Sequence, residues 1–143
     1  MPTQTYANHR QSVPLYLALF GIIVLTLIGS VVNLVQSLGD HQRLYSAALL
    51  VAVCLSLVML FFFARSFPLK AQDRAIRAEE NLRHFVLTGK LLDPRLGTLQ
   101  VVALRFASDT EFVALARRAA DESMTPDAIK QAVKEWRADT YRV

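Results

Sequence analysis

Two long apolar stretches near the N-terminus decide the fold. Residues 14–35 read PLYLALFGIIVLTLIGSVVNLV, and residues 45–67 read YSAALLVAVCLSLVMLFFFARSF. No charged residue lies between Arg10 and Asp40, and none lies between Arg43 and Arg65. Each gap exceeds the roughly 20 apolar residues that a helix needs to cross about 30 Å of hydrocarbon. The sequence therefore predicts two transmembrane helices.

The short connection between the two stretches makes them a hairpin. Residues 36–44 contain Gln, Ser, Gly, Asp, His and Arg, and Gly39-Asp40 is typical of a turn. A loop of this length joins antiparallel neighbours. At the far end of the second span, Phe67-Pro68 predicts a break in the helix, because the residue before a proline is biased away from helical angles.

Charge divides the chain into two parts. From Arg65 to Val143 the chain has 14 Lys or Arg and 11 Asp or Glu, whereas only Arg10, Asp40 and Arg43 are charged before that point. We predict an N-terminal tail and hairpin over residues 1–67 and a helical domain over residues 68–143. Lipid contacts at the membrane surface suffice to explain the net charge of +4, so no nucleic-acid partner is expected.

Basic residues after the second span predict the orientation of the hairpin. Four of them follow within a short distance, and the loop between the spans carries Arg43 alone. Because such residues favour the cytoplasmic face, both termini are expected in the cytoplasm, with the loop between the spans on the outside. These membrane-surface residues are Arg65, Lys70, Arg74 and Arg77.

Small residues at regular spacing indicate helix packing inside the membrane. They lie every four residues on the second span, and on one face of the first span together with an amide, a pattern that lets helix backbones approach closely. The two faces either pack on each other within the hairpin or dock onto helices of a partner. Their members are Gly21, Gly29 and Asn33 on the first span, and Ala48, Ala52 and Ser56 on the second.

The second half of the chain predicts about four helices and no sheet, and hence an all-α fold. A charged helix over residues 70–87 carries an apolar stripe, which packs on the rest of the domain or on a partner and is expected to end at Gly89. Thr98 is a candidate cap for a helix that ends near Phe106 and buries Leu99. The stripe consists of Ala71, Ala75, Ala78, Leu82 and Phe85.

Two further helix starts follow. Ser108 and Glu111 have the spacing of a capping box. Thr125-Pro126 combines a cap with a proline at the first helical position, and opens a face that continues to Trp136. The expected core of the domain consists of Val102, Phe106, Phe112, Leu115, Ile129, Val133 and Trp136.

Chemistry-bearing residues are few and scattered. Apart from Arg65 near the end of the second, neither span contains Asp, Glu, Lys, Arg or His, which transport sites and proton relays usually need. The three histidines are widely spaced and predicted to lie on two sides of the membrane, and the one cysteine, Cys54, is a small apolar residue inside the second span. We expect no enzyme, no metal site and no cofactor.

Four segments resemble a known family. They are residues 4–9 (QTYANH), 91–95 (LLDPR), 103–107 (ALRFA) and 134–139 (KEWRAD). They are similar to segments of a family of small bacterial two-span membrane proteins of unknown function. The resemblance covers almost the whole chain and implies a hairpin followed by a helical tail, but no activity.

Three functional hypotheses follow from these features. The first is a non-catalytic accessory subunit of a larger inner-membrane complex, with respiratory and photosynthetic complexes as candidate hosts. In it, the hairpin packs against other integral membrane subunits and the tail docks on the cytoplasmic face. The second is a self-associating homo-oligomer that uses the stripe and the Ala48–Ser56 face. The third is a membrane-anchored sensor or enzyme whose site the sequence does not reveal.

Overall fold

The described part of the chain is all-helical, as the sequence predicts. The computed structural model describes residues 5–7 and 14–139. Its helices are α1 (Pro14–Gln36), α2 (His41–Thr88), α3 (Thr98–Leu104), α4 (Asp109–Asp121) and α5 (Pro126–Ala132). Extended pairing among the described residues is limited to one bridge, between Ala107 and Trp136.

The chain divides into two compact units. The hairpin unit covers residues 12–68, and the tail unit covers residues 1–11 together with residues 69–143. Predicted features that involve His9 and Arg10 lie outside the described residues. Both α1 and the apolar part of α2 are long and apolar enough to cross a membrane.

The hairpin unit closes along a seam whose positions alternate by three and four residues. Tyr16 stacks on Phe61 at 4.0 Å between ring centroids, which brings the open ends of the two helices together. Buried and half-buried residues of both helices recur along this seam with coiled-coil spacing. They are Tyr16, Phe20, Ile23, Leu27, Ser30 and Leu34 of α1 with Ser37 just beyond its end, and Leu44, Ala47, Val51, Cys54, Val58, Phe61 and Arg65 of α2.

Weakly polar residues fit this seam because they are small and bonded within their own helix. The Ser30 hydroxyl donates to the carbonyl of Leu27, and the Ser37 hydroxyl donates to the carbonyl of Asn33. Each serine is thereby satisfied although it is buried. Ala47 is fully buried and Cys54 nearly so, and side chains of this size let the helices approach closely.

The predicted break at Phe67-Pro68 is wrong, because α2 continues through Pro68 to Thr88. A proline fixes φ near its helical value, so a helix can continue through it, although the proline removes one N–H donor and its ring crowds the carbonyl four residues earlier. The predicted end of this helix at Gly89 is confirmed. Gly89 follows its last turn with φ +72° and donates its N–H to the carbonyl of Phe85 at 2.7 Å.

The tail unit packs α3, α4 and α5 around one apolar core. Of the predicted core residues, Val102 and Trp136 are half-buried. The other five are buried: Phe106, Phe112, Leu115, Ile129 and Val133. The sequence interpretation of α3 needs correction, because the helix ends at Leu104 and Phe106 lies beyond it. The buried valine is therefore Val101, and Leu99 is 61% exposed.

The predicted caps have mixed outcomes. The residue before α3 is Gly97, whose N–H donates to the side chain of Gln100, so Thr98 is not the cap. Thr125 does cap α5, since its hydroxyl accepts from the N–H of Ala128. The face predicted to run on to Trp136 is wrong: α5 ends at Ala132, and the chain is extended from Val133.

Candidate functional site

The small-residue faces of the hairpin point away from its seam. Gly21 and Gly29 are exposed, and a Cβ added at either would meet nothing within 4 Å. Ala48, Ala52 and Ser56 are also exposed. The interpretation that these two faces pack on each other is therefore wrong. We call them the outer face of α1 (Gly21, Gly29, Asn33) and the outer face of α2 (Ala48, Ala52, Ser56).

Asn33 places an amide on the outer face of α1. Its backbone carbonyl accepts from Ser37, but among the described residues its side chain forms no hydrogen bond. An amide in an apolar environment gains most when it meets another polar group, such as a group on a second helix or a lipid headgroup.

The four basic residues predicted to lie at the membrane surface have separate surroundings. In the hairpin unit the guanidinium of Arg65 lies over the ring of Tyr16, 5.2 Å from its centroid. In the tail unit Arg77 donates to the hydroxyl of Thr98 at 3.0 Å, whereas Lys70 and Arg74 are exposed. Arg77 is thus committed to a contact inside its own unit.

A charged cluster joins α2 to the rest of the tail unit. It consists of Glu80, Arg83, Asp109 and Arg137, and borders a recess of about 420 Å³. Arg83 donates to Glu80 at 2.9 Å, to Asp109 at 2.7 Å and to the carbonyl of Ala107 at 2.7 Å. Its guanidinium also lies 4.3 Å from the centroid of the Phe112 ring.

Burial makes the pair of Glu80 and Arg83 the critical part of this cluster. The side chains of Glu80 and Arg83 are only 7% and 11% exposed. A buried carboxylate needs its cationic partner, because an uncompensated charge inside a protein is costly. Arg137 lies 4.0 Å from the second oxygen of Glu80. The cluster therefore fastens three parts of the chain to one another.

The side chains predicted to form a capping box bind the C-terminal segment, residues 133–139, instead. Ser108 precedes α4, but its hydroxyl contacts Thr110 and Glu135 rather than the helix N-terminus. The carboxylate of Glu111 accepts from the backbone N–H groups of Lys134 and Glu135. The helix begins where the sequence predicts, but the predicted capping hydrogen bonds do not form.

Two of the segments that carry the family resemblance meet at this point. Phe106 packs on Trp136 at 4.9 Å between ring centroids, and its carbonyl accepts from the N–H of Arg137. Arg105 pairs with Asp139 at 3.0 Å. The segments 103–107 and 134–139 thus form one packed junction, with Ala107 and Trp136 bridged through their backbones.

A third segment, residues 91–95, forms a turn beside an open groove of about 630 Å³. The side chain and backbone N–H of Arg95 donate to Asp93, which lowers the pKa of that carboxyl from 3.8 to about 2. Arg95 also donates to Asp121, and both carboxylates raise its own pKa. His84 and Arg117 line the same groove.

The N-terminal segment belongs to the tail unit. The hydroxyl of Tyr6 donates to Asp127 at 2.9 Å and accepts from Gln131 at 3.3 Å. Residues that precede α1 and residues of α5 therefore lie side by side.

The charged cluster was missed in the sequence, where Glu80 and Arg83 read as part of a solvated helix face. Their i, i+3 spacing indicates an ion pair, but spacing alone does not distinguish a buried pair from an exposed one. Among the described residues no group of three or more His, Cys, Asp or Glu side chains is placed to hold a metal ion.

Comparison with known proteins yields a family and no activity. A model of a family of unknown function matches residues 1–143. The chain belongs to the DUF6526 family. No curated protein and no solved structure matches it. Membership of DUF6526 agrees with the resemblance seen in the sequence, which also implied an uncharacterised family.

Proposed function

We propose that this member of DUF6526 is a non-catalytic accessory subunit of a larger bacterial inner-membrane complex. Its hairpin packs against helices of other subunits, and its tail unit lies on the cytoplasmic side. The observation that carries the proposal is the outward position of both small-residue faces of the hairpin.

Exposure of the apolar helices supports the membrane part of this proposal. In their most apolar windows only 11% of α1 and 17% of α2 are buried, although both windows have mean hydropathy above 2.5. The central helix of a soluble protein is mostly buried. So much exposed apolar surface requires lipid or other protein as cover.

The outer faces support the packing part. Within lipid, helices associate where small residues allow close approach and where polar groups find partners. The hairpin already has a seam of its own, and its Gly, Ala and Ser residues on the outer faces are not used there. A second set of small residues, together with the amide of Asn33, therefore suits a helix from another subunit.

Contacts of the N-terminal segment support the topology. Tyr6 and Asp127 are in contact within one unit, which supports a topology in which α1 and α2 cross the membrane and residues before α1 and after α2 share one side. The exposed Lys70 and Arg74 follow the second span and favour the cytoplasmic side.

Native purification tests this function. The tagged full-length chain is extracted from its own membranes in mild detergent and separated by blue native electrophoresis. We expect it to migrate in a stoichiometric assembly with other integral membrane proteins. Replacement of Ala48 and Ala52 by Leu should lower the recovered partner by about tenfold, because bulky side chains prevent close helix approach.

Ala64→Leu is the matched control. Ala64 is exposed on the opposite flank of α2, and this substitution makes the same Ala-to-Leu change at one site without altering the outer face. It should leave the assembly intact. Recovery of the chain as a monomer, or only with copies of itself, would contradict the accessory function, as would an equal loss in the control variant.

A further inference from the structure

The apolar stripe of α2 in the tail unit is exposed along its whole length. Leu82 is 64% exposed, Phe85 is 50% exposed, and the neighbouring Val86 is 75% exposed. The three alanines of the stripe, Ala71, Ala75 and Ala78, are exposed as well. An apolar helix face that the chain itself does not cover marks an interaction surface.

The tail unit cannot cover this stripe because it packs on the opposite side of the same helix. Arg77 contacts Thr98, Asn81 accepts from the N–H of Leu92, and Arg83 joins the charged cluster. Helical periodicity places Arg77 and Arg83 away from the stripe and Asn81 at its edge. The polar face of α2 is thus turned inward, and its apolar face outward.

The spacing of the stripe is that of a coiled-coil seam. Its five members follow one another at alternating intervals of four and three residues, as in the seven-residue repeat of a coiled coil, whose positions are lettered a to g. Ala75 and Leu82 lie at position a of this repeat, and Ala78 and Phe85 lie at position d. Alanines at the beginning let two helices come close, and Leu82 and Phe85 supply larger apolar contacts toward the end.

Charges that flank the stripe identify the occupant. Arg74 lies at a g position and Glu79 lies five residues later at an e position, both exposed and, within the described part of the chain, without an ion pair. In a parallel two-stranded coiled coil, the residue at position g of one helix lies beside the residue at position e of the next repeat of the other helix. Arg74 of each copy then meets Glu79 of the other.

We propose that the stripe docks on the same stripe of a second copy of this chain, forming a parallel two-helix coiled coil. In an antiparallel pair, position g of one helix lies beside position g of the other and position e beside position e, so Arg74 and Glu79 would not meet. Two copies inserted in one membrane in the same orientation present α2 in parallel. A membrane surface is a poorer occupant, because such helices carry mainly cations at their flanks.

Membrane confinement makes so short a seam sufficient. Two heptads with three alanines bury little area, and a free peptide of this length would associate weakly. Anchoring holds the copies at one height and in one plane, which raises the effective concentration of one stripe near another. The inference goes beyond the accessory function, since the pair forms with or without a host complex.

Cysteine crosslinking in native membranes tests the pairing directly. The full-length chain with Cys54→Ser carries either Ala78→Cys, at a d position, or Lys70→Cys, at an outward c position of the same helix. Cysteines facing each other across a parallel seam come within the reach of a disulfide. We expect at least about tenfold more crosslinked dimer with Ala78→Cys than with Lys70→Cys.

Charge exchange tests both partner and direction. In the Ala78→Cys background, Arg74→Glu and Glu79→Arg each place like charges together in a homodimer, and each should lower crosslinking by about fivefold. A mixed dimer of one Arg74→Glu chain and one Glu79→Arg chain has opposite charges at both contacts. Co-expression of the two, or both changes in one chain, should restore the crosslinked dimer.

Three results would overturn the inference: equal crosslinking at the two cysteine positions, a crosslink from Ala78→Cys to a different protein, or single charge variants that crosslink like the parent. Failure to recover a host complex, by contrast, removes the accessory function and leaves the pairing intact.

Discussion

The hairpin unit and the tail unit bury different kinds of residue. In the hairpin, Ser30, Ser37 and Cys54 lie inside, while Leu15 is 82% exposed and Leu25 is 70% exposed. In the tail unit Phe106 and Phe112 lie inside, and exposed positions are mostly polar. The difference shows that the first unit is built for an apolar surrounding, in which size and close approach decide packing, and the second for water.

The tail unit depends on one buried ion pair in a way that the hairpin does not. Arg83→Ala leaves the carboxylate of Glu80 buried without its main partner, which should lower the free energy of unfolding by about 3–5 kcal/mol. Guanidinium unfolding of the full chain in detergent, followed through the fluorescence of Trp136, measures the change. Trp136 is the one tryptophan in the sequence.

Two variants make this prediction specific. Arg117→Ala removes an arginine whose side chain is 87% exposed, and should change the free energy of unfolding by less than about 0.5 kcal/mol. Replacement of both Glu80 and Arg83 by Leu should recover much of the loss, because no buried charge remains. Equal stability of Arg83→Ala and the parent would show that the pair is not critical.

The seam of the hairpin should be sensitive to size rather than to charge. Ala47 is fully buried and the adjacent Ala48 is exposed. Ala47→Leu overpacks the seam and should destabilise the hairpin by about 1–3 kcal/mol. Ala48→Leu should cost less than about 0.5 kcal/mol in the isolated chain.

Separation of α1 from α2 during titration with dodecyl sulfate measures this effect. Pyrene labels on cysteines at positions 19 and 62 in a Cys54→Ser background report it, since position 19 adjoins Phe20 and position 62 is the α2 residue whose ring Phe20 contacts. Equal shifts for the two alanine variants would mean that the seam does not lie along Ala47.

Acid should weaken the tail unit through Asp93, and the effect is the smallest of the three. The pKa of Asp93 is lowered from 3.8 to about 2, so the folded chain favours its ionised form. The stabilisation is fully present above pH 3.8 and is lost as pH falls through about 2. Comparison of unfolding midpoints between pH 5 and pH 2 measures it.

Asp93→Asn is the control for this titration. The variant lacks the ionised carboxylate and should show a smaller fall over the same pH interval. Because the pair of Asp93 and Arg95 is solvent-exposed, added salt should reduce the difference between the two proteins. Identical acid profiles at low salt would exclude Asp93 as the source.

Features set by local chemistry could be predicted from the sequence. Length and hydropathy predict both apolar helices, Gly89 predicts the end of α2, and Thr125-Pro126 predicts the start of α5. The seam could not be read in the same way, because inside a span nearly every position is apolar and no contrast reveals which face is buried.

Features set by contacts between distant segments could not be predicted. Ser108 and Glu111 have the spacing of a capping box, yet the Ser108 hydroxyl donates to the carboxylate of Glu135, and Glu111 accepts from the backbone N–H groups of Lys134 and Glu135. Glu80 and Arg83 likewise look like solvated helix residues until the turn before α4 covers them. In each case a tertiary contact replaces the partner that local spacing suggests.

The position of Tyr6 has a consequence for how the protein is made. Tyr6 leaves the ribosome before either apolar helix, whereas its partners Asp127 and Gln131 emerge long after both. The C-terminal segment that closes the tail unit against Phe106 follows these partners in the chain and is synthesised after them. The tail unit therefore completes its fold only after both apolar helices have been synthesised, and until then the N-terminal segment lacks its binding site.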